Sequence, residues 1–310
     1  MEFANLAEIE QQPNPVRIAK RSDTATIMSL LKTAVYTHMH VDWHLPGDWI
    51  GTPGFVLSPK SEQPSQNLRP FSSKLFSMHK SIDGCLAITA DPAPAAWVRV
   101  AAIAQDVKKP ASILANMMEK AADNLSKTAV NTVAWLATTD WANQWMEQLG
   151  FKCINEIETY VKDNMELPSI PDIPNLVIRP VLVNDLDQLA QLERDAFNPL
   201  WRHSATSLRL ARHQAFSFDV ALLDNTIVGF QLSTPSEYGV HLVRLTVNPH
   251  IHRSGIGTVL LAHAIRGYHR RGRNRITLNT QVDNIASQHL YQKFEFYSNK
   301  QRYPVWTKRL

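Results

Sequence analysis

Cysteine is nearly absent: Cys85 and Cys153 are the only two in 310 residues, far apart and without metal-ligand spacing. That argues against a disulfide framework and a structural zinc site. No metal is expected, and a reducing, cytoplasmic setting fits. Long apolar runs are missing too; none approaches the roughly 20 residues that span a bilayer, so no membrane partner is expected. The opening MEFANLAEIEQQPNP is acidic and polar, without the basic and apolar parts of a secretory leader. What remains, 44% hydrophobic and 19% charged residues, is the composition of a folded soluble protein. Its length is comfortable for two cores.

The net charge of +4 conceals an asymmetry. From Leu176 onward there are 17 Lys and Arg against 9 Asp and Glu, leaving 15 against 19 in the rest. A basic second half could attract nucleic acid, membrane phosphates or a phosphorylated cofactor, and charge alone does not choose. The halves are divided by residues 165–175, where three prolines bias the chain toward extended backbone. The expected division is residues 1–164, a connector 165–175, and residues 176–310. A Pro-, Gly- and Ser-rich stretch from about Pro46 to Pro70 reads as a long loop inside the first half.

The second half alternates strands and helices. Leu176–Arg179 reads as a strand, and Leu186, Leu189 and Leu192 mark one face of a helix. A helix over Ala205–Gln214 precedes strands at Phe218–Leu223, Thr226–Ser233 and Val240–Val247. A helix from about Gly257 to Arg270, a strand at Arg275–Thr280, a helix at Ala286–Phe294 and a strand at Gln301–Lys308 complete it. An α/β, mixed-sheet fold with helices on both faces is the natural packing of that order. The first half follows a similar order. Strands are expected at Val16–Ala19, Leu75–His79, Gly84–Thr89, Trp97–Ile103, Thr132–Leu136 and around Tyr160. Helices are expected at Ala25–Tyr36, Ile113–Leu125 and Trp141–Leu149. The endings Trp145–Phe151 and Leu290–Phe296 also match, which points to internal duplication.

The chemistry concentrates in Val240–Arg270. A strand ends at Asn248-Pro249, and a loop then delivers Gly255 and Gly257 to the mouth of a helix. Glycines there let backbone approach a phosphate, and the first helical N–H groups face it unpaired. A Rossmann fingerprint would need a third glycine where Leu260 stands. A Walker loop would need a lysine, but Thr258 follows Gly257 directly. A third pattern fits: Leu245-Thr246-Val247-Asn248-Pro249, then His252-Arg253-Ser254-Gly255-Ile256-Gly257. About 30 residues on come Asn284, Ser287, Leu290, Tyr291, Lys293 and Phe296.

These two elements together resemble the GNAT (Gcn5-related) N-acetyltransferase family over Leu176–Leu310. The resemblance implies two tandem GNAT-like folds, the second an acetyl-CoA-dependent N-acetyltransferase acting on a primary amine. It implies that the backbone of Leu245, Thr246 and Val247 pairs with the pantetheine arm and polarises the thioester carbonyl. His252 through Thr258 would cradle the pyrophosphate, and Asn284 would contact pantetheine or phosphate. Tyr291 would protonate the leaving thiolate. Two positions depart from the family pattern: His252 replaces Arg or Gln, and Glu295 replaces the glycine before Phe296.

An attacking amine must be neutral, which asks for a base or a water chain; Glu237 and His241, near the strand start, are the candidates. The equivalent loop of the first half, Ala104–Ala111, lacks glycine and carries Asp106, so that half is expected to be a degenerate copy that binds no CoA. Its tryptophans read as packing, with Trp43 and Trp49 able to line a cleft. A basic run over Arg266–Arg275 would suit nucleic acid, yet it reads better as cations at a helix C-terminus. The acceptor would be a small-molecule amine or a peptide or protein amine. The alternative from another class is a non-catalytic acyl-CoA-binding sensor or interaction protein.

Overall fold

The computed structural model describes residues 15–60 and 81–310. The first half contains β1 (Arg17–Ile18), α1 (Thr24–Thr33), β2 (Tyr36–Met39), β3 (Phe55–Pro59), β4 (Ile82–Ala90), β5 (Ala95–Ile103), α2 (Pro110–Leu125), β6 (Thr132–Leu136) and β7 (Lys152–Lys162). The second contains β8 (Leu176–Pro180), α3 (Leu186–Ala196), α4 (Ala205–Gln214), β9 (Ser217–Leu223), β10 (Thr226–Ser236), β11 (Gly239–Val247), α5 (Ile256–Arg270), β12 (Ile276–Gln281), α6 (Ile285–Lys293) and β13 (Tyr297–Arg309).

Three expectations for the first half need correction. The helix expected to reach Tyr36 ends at Thr33, because Ala34 turns extended and Tyr36–Met39 pairs with β5 instead. The stretch read as one long loop contains β3, whose buried Phe55, Val56 and Leu57 sit between β1 and β4. Trp141–Leu149 is not an α-helix: Asp140–Trp145 forms 3-10 turns. The strand expected at Leu75–His79 lies outside the described residues.

All described strands join one mixed sheet. Apart from β2, their order is β1-β3-β4-β5-β6-β13-β7-β12-β11-β10-β9-β8. The sheet does not divide where the chain does. After its parallel pair, β5 with β6 or β11 with β12, each half supplies one further long strand, and the two halves trade it. β13 lies antiparallel against β6 of the first half. β7 lies antiparallel against β12 of the second. The two traded strands then pair with each other, Tyr303 with Ile157 and Val305 with Asn155. This buries what would be an open sheet edge in each half.

Helices cover both faces. In the first half α2 packs Leu114, Met117 and Ala121 over Leu86, Val98 and Ile103, while α1 packs Ile27 and Leu30 over Leu57 and Val100. In the second, α5 packs Leu261 and Ile265 over Leu242 and Leu278, while α3 and α4 cover Val220, Phe230 and Leu232. The duplication shows in detail. Arg17 clasps Asp23 with two hydrogen bonds of 2.8 Å, and Arg179 clasps Asp185 at 2.7 and 2.9 Å. In each case the same carboxylate also accepts a backbone N–H, from Lys20 or from Leu182. Gly150 and Glu295 end the matching segments with φ of 82° and 61°. The family-type glycine is thus kept in the first half and replaced by a left-handed glutamate in the second.

Each copy also has a β-bulge in its central strand. Ala87 faces Val100 while Ile88 faces Val98, which leaves Arg99 extra. Leu232 faces Arg244 while Ser233 faces Leu242, which leaves Val243 extra. A bulge flips the alternation of faces, so Leu242 and Leu245, three apart, both pack on the α5 side. Because the traded strands tie the halves together, calorimetry of the whole chain should show one cooperative unfolding transition. Removing residues 297–310 should abolish it for both halves; two well-separated transitions in the intact chain would contradict this.

Candidate active site

A slot opens where the bulge ends the pairing of two parallel strands. β11 and β12 pair only over Val240–Leu242 with Ile276–Leu278. Past that point the Arg244–Val247 backbone has no strand partner on the β12 side. The slot leads into a cleft of about 740 Å³ lined by both family-like elements, from Leu245–Val247 and the glycine loop to Asn284 and Tyr291.

The loop has the geometry of an anion cradle. Arg253 and Gly255 are left-handed, with φ of 67° and 88°, and Gly255 caps the N-terminus of α5. Successive left-handed turns before a helix aim backbone N–H groups into one concavity, and the helix dipole adds positive potential there. The connector packs against this loop. A Cβ at Gly255 would stand 2.9 Å from Pro171 Cγ, and Ile173 joins the apolar cluster of Ile256 and Leu260.

Two loop side chains turn away from the ligand role expected of them. His252 Nε2 lies 3.1 Å from the Val247 carbonyl, so the ring donates inward and braces the loop. Ser254 Oγ donates to Ile251 O at 2.7 Å. Ile256 is buried in the core, and Thr246 donates its hydroxyl to Glu193 at 2.9 Å. Among these residues, then, backbone amides and the Arg253 guanidinium are what an anion would meet.

Tyr291 is almost fully buried against Tyr160 and Phe296, at centroid distances of 6.5 and 5.8 Å. Burial pushes its hydroxyl up to about 12, so it keeps its proton at neutral pH. Asn284 caps α6, its Oδ1 accepting from Ser287 N at 3.2 Å, and also lines the cleft. The two candidate bases lie elsewhere. Glu237 is exposed in the turn between β10 and β11, at the far end of the strand, roughly 30 Å from Val247 at ~3.3 Å per residue. His241 sits before the bulge, its Nδ1 2.8 Å from Thr277 Oγ1, and burial lowers its pKa to about 4. Neither lines the cleft.

Sequence reasoning missed a buried network behind the site. Glu193, on α3, is inaccessible to solvent and accepts from both Arg244 and Thr246. Arg244 also donates to the Trp201 carbonyl and stacks 3.6 Å above the Phe197 ring. Phe197, Asn198 and Trp201 form a cleft wall, and Asn155 of the traded β7 forms another part. The Glu193–Arg244 pair had no motif to betray it, and Asn155 is recruited only by the strand trade.

The first half has the same splayed pair but no slot. β5 pairs with β6 only over Ala95–Trp97, as in the second half. Two residues further on, Val100–Ile103 are taken by β2, antiparallel from Met39 to Tyr36. The loop that follows has no glycine, and Asp106 is engaged by Lys60. Among the described residues no group of three or more His, Cys, Asp or Glu could hold a metal ion, and no helix is long and apolar enough to cross a membrane. Gly255→Ala should cost about 1–2 kcal/mol for the left-handed backbone alone, lowering the thermal midpoint of a chain this long by about 2–3 °C. An unchanged midpoint would contradict the loop geometry.

Comparison with known proteins agrees with this geometry. Residues 186–296 match the acetyltransferase (GNAT) family. An uncharacterized N-acetyltransferase of Methanocaldococcus jannaschii is 29% identical over 128 residues, which are 40% of this chain and 80% of that protein. The fold of nearly the whole chain recurs in a GCN5-related N-acetyltransferase from Kribbella flavida, with TM-score 0.64, 11% identity, and 94% of this chain and 70% of that one covered. It recurs again in a tandem GNAT protein from the clavulanic acid biosynthesis pathway, with TM-score 0.56, 14% identity, and 95% and 98% covered. The chain is thus two GNAT-like folds in tandem, of which residues 186–296 match the acetyltransferase (GNAT) family.

Proposed function

We propose that the chain transfers an acetyl group from acetyl-CoA to a primary amine, in the cleft of residues 176–310, by direct attack and without a covalent enzyme intermediate. The observation that carries this reading is the meeting, in one cleft, of a free Arg244–Val247 edge, a left-handed glycine loop at a helix N-terminus, and a protonated buried Tyr291. The free edge would take the amides of an extended pantetheine arm as an added strand. Backbone N–H groups of Arg253–Thr258, with the Arg253 guanidinium, would hold the pyrophosphate. A strand amide beside the bulge would stabilise the oxyanion of the attacked thioester.

As the C–S bond breaks, Tyr291 would donate its proton toward the departing sulfur. A hydroxyl near 12 is a poor acid toward a thiolate in water. Dry surroundings raise thiols as well, as the buried Cys85 illustrates, pushed up to about 12. The proton of the amine would leave to solvent at the mouth of the cleft, since Glu237 and His241 stand outside it, and a proton from solvent would restore the Tyr291 hydroxyl once the thiol departs. Residues 1–164 would act as a non-binding copy, its slot filled by β2, and the connector 165–175 would brace the glycine loop.

Thiol release from acetyl-CoA over a panel of amines tests this. Tyr291→Phe is expected to lower kcat by roughly 10²-fold with little change in the KM for acetyl-CoA. A mutant as fast as wild type would remove Tyr291 from the mechanism, and acetyl-CoA binding without turnover would favour a sensor. The pH profile follows from the pKa values. Tyr291 stays protonated below about 12, and His241 stays neutral above about 4. Neither changes charge between about pH 5 and 10, so kcat/KM should rise with pH along the free-base fraction of the amine. A falling limb near pH 8 would contradict this assignment.

A further inference from the structure

Resting on that reading, we infer that the acceptor is a primary amine carried on a flat, aromatic-bearing molecule that lies against Trp201 and Phe197. The position of these rings comes first. Arg244 is the second residue past the last β11–β12 pair, beside the bulge where the thioester would be attacked, and it donates to the Trp201 carbonyl. Trp201 therefore lies within the reach of one arginine side chain from the bulge, and both Phe197 and Trp201 line the cleft.

The rings are held rigidly, from both halves of the chain. The Arg244 guanidinium covers Phe197 at 3.6 Å and is itself fixed by the buried Glu193. Trp97 of β5 stacks on Trp201 at 5.3 Å, and its Nε1 donates to the Leu200 carbonyl at 3.0 Å. A wall fixed before the ligand arrives loses little entropy on binding, which favours a rigid, flat partner.

Two of the polar groups at this end are neutral amides. Asn155 Oδ1 accepts from Glu156 N at 2.8 Å and Asn198 Oδ1 from Leu200 N at 3.1 Å, so each amide has its NH₂ left to donate. Glu193 is committed to Arg244 and Thr246 behind the wall. Asp283 also lines the cleft, one residue past Val282, whose N–H donates to the Glu156 carbonyl beside Asn155, so one carboxylate shares this end with the amides. Aromatic faces with neutral amides select by shape and stacking, and the carboxylate suits the single ammonium of the acceptor.

The test compares wild-type kcat/KM for 2-phenylethylamine, 2-cyclohexylethylamine and spermidine, all as primary amines. The phenyl compound should exceed its saturated counterpart by roughly 3- to 10-fold, the size of a stacking contact, with spermidine as the non-aromatic control. Trp201→Leu should collapse the phenyl-to-cyclohexyl ratio toward one, and Trp201→Phe should retain it. Equal or reversed preference in the wild type would overturn the inference while leaving acyl transfer standing. Silence toward every amine, with acetyl-CoA bound, would instead overturn the transfer reading and this inference with it.

Discussion

The pairing of β7 with β12 and β13 is the contact on which the other features depend. Each half supplies one long strand after its parallel pair, and each takes the missing neighbour from the other half. Two exposed sheet edges thereby become one continuous interior. The trade also carries side chains across: Tyr160 of β7 stacks on Tyr291, and Asn155 enters the cleft. A second crossing, Trp97 on Trp201, supports the other wall. The first half thus contributes to the site without needing a ligand of its own.

The two copies keep the same bulge and diverge in what fills the space beyond it. In the second half the central strand runs on unpaired into the cleft, toward a glycine-capped helix. In the first half β2 fills the corresponding edge with the chain's own backbone. Buried Arg99, the extra residue of that bulge, is tied to Asp42 and to the His40 carbonyl, so the region is sealed by charge as well as by backbone. Against burial, which pushes it up, His40 and then the Arg99 guanidinium hold the Asp42 carboxyl well below the usual range. One inherited geometry is open in one copy and closed in the other.

Local signals made much of this legible in the sequence. Apolar periodicity marked α3, and the glycine spacing marked the loop at its true place, because both properties are set within a few residues. Partner choice was not legible. Nothing in Lys152–Lys162 says that it joins β12, and nothing in Tyr36–Met39 says that it will fill the β5 edge, since strand pairing is a long-range contact. His252 could be seen to depart from the family pattern, but its turn toward the Val247 carbonyl depends on loop geometry. The bulge at Val243 breaks the alternation of a regular strand, which would set His241 and Leu245 on one face. The paired clasps of Arg17 with Asp23 and Arg179 with Asp185, each six residues apart, were a readable sign of duplication that spacing alone could have supplied.

The central claim is that one slot is open and its counterpart is closed. Backbone hydrogen exchange with and without acetyl-CoA measures it most directly, because each amide reports its own protection. The account predicts slower exchange over Arg244–Thr258 on addition of acetyl-CoA, with Val100–Ala111 unchanged. Protection of Val100–Ala111, or none over Arg244–Thr258, would contradict it.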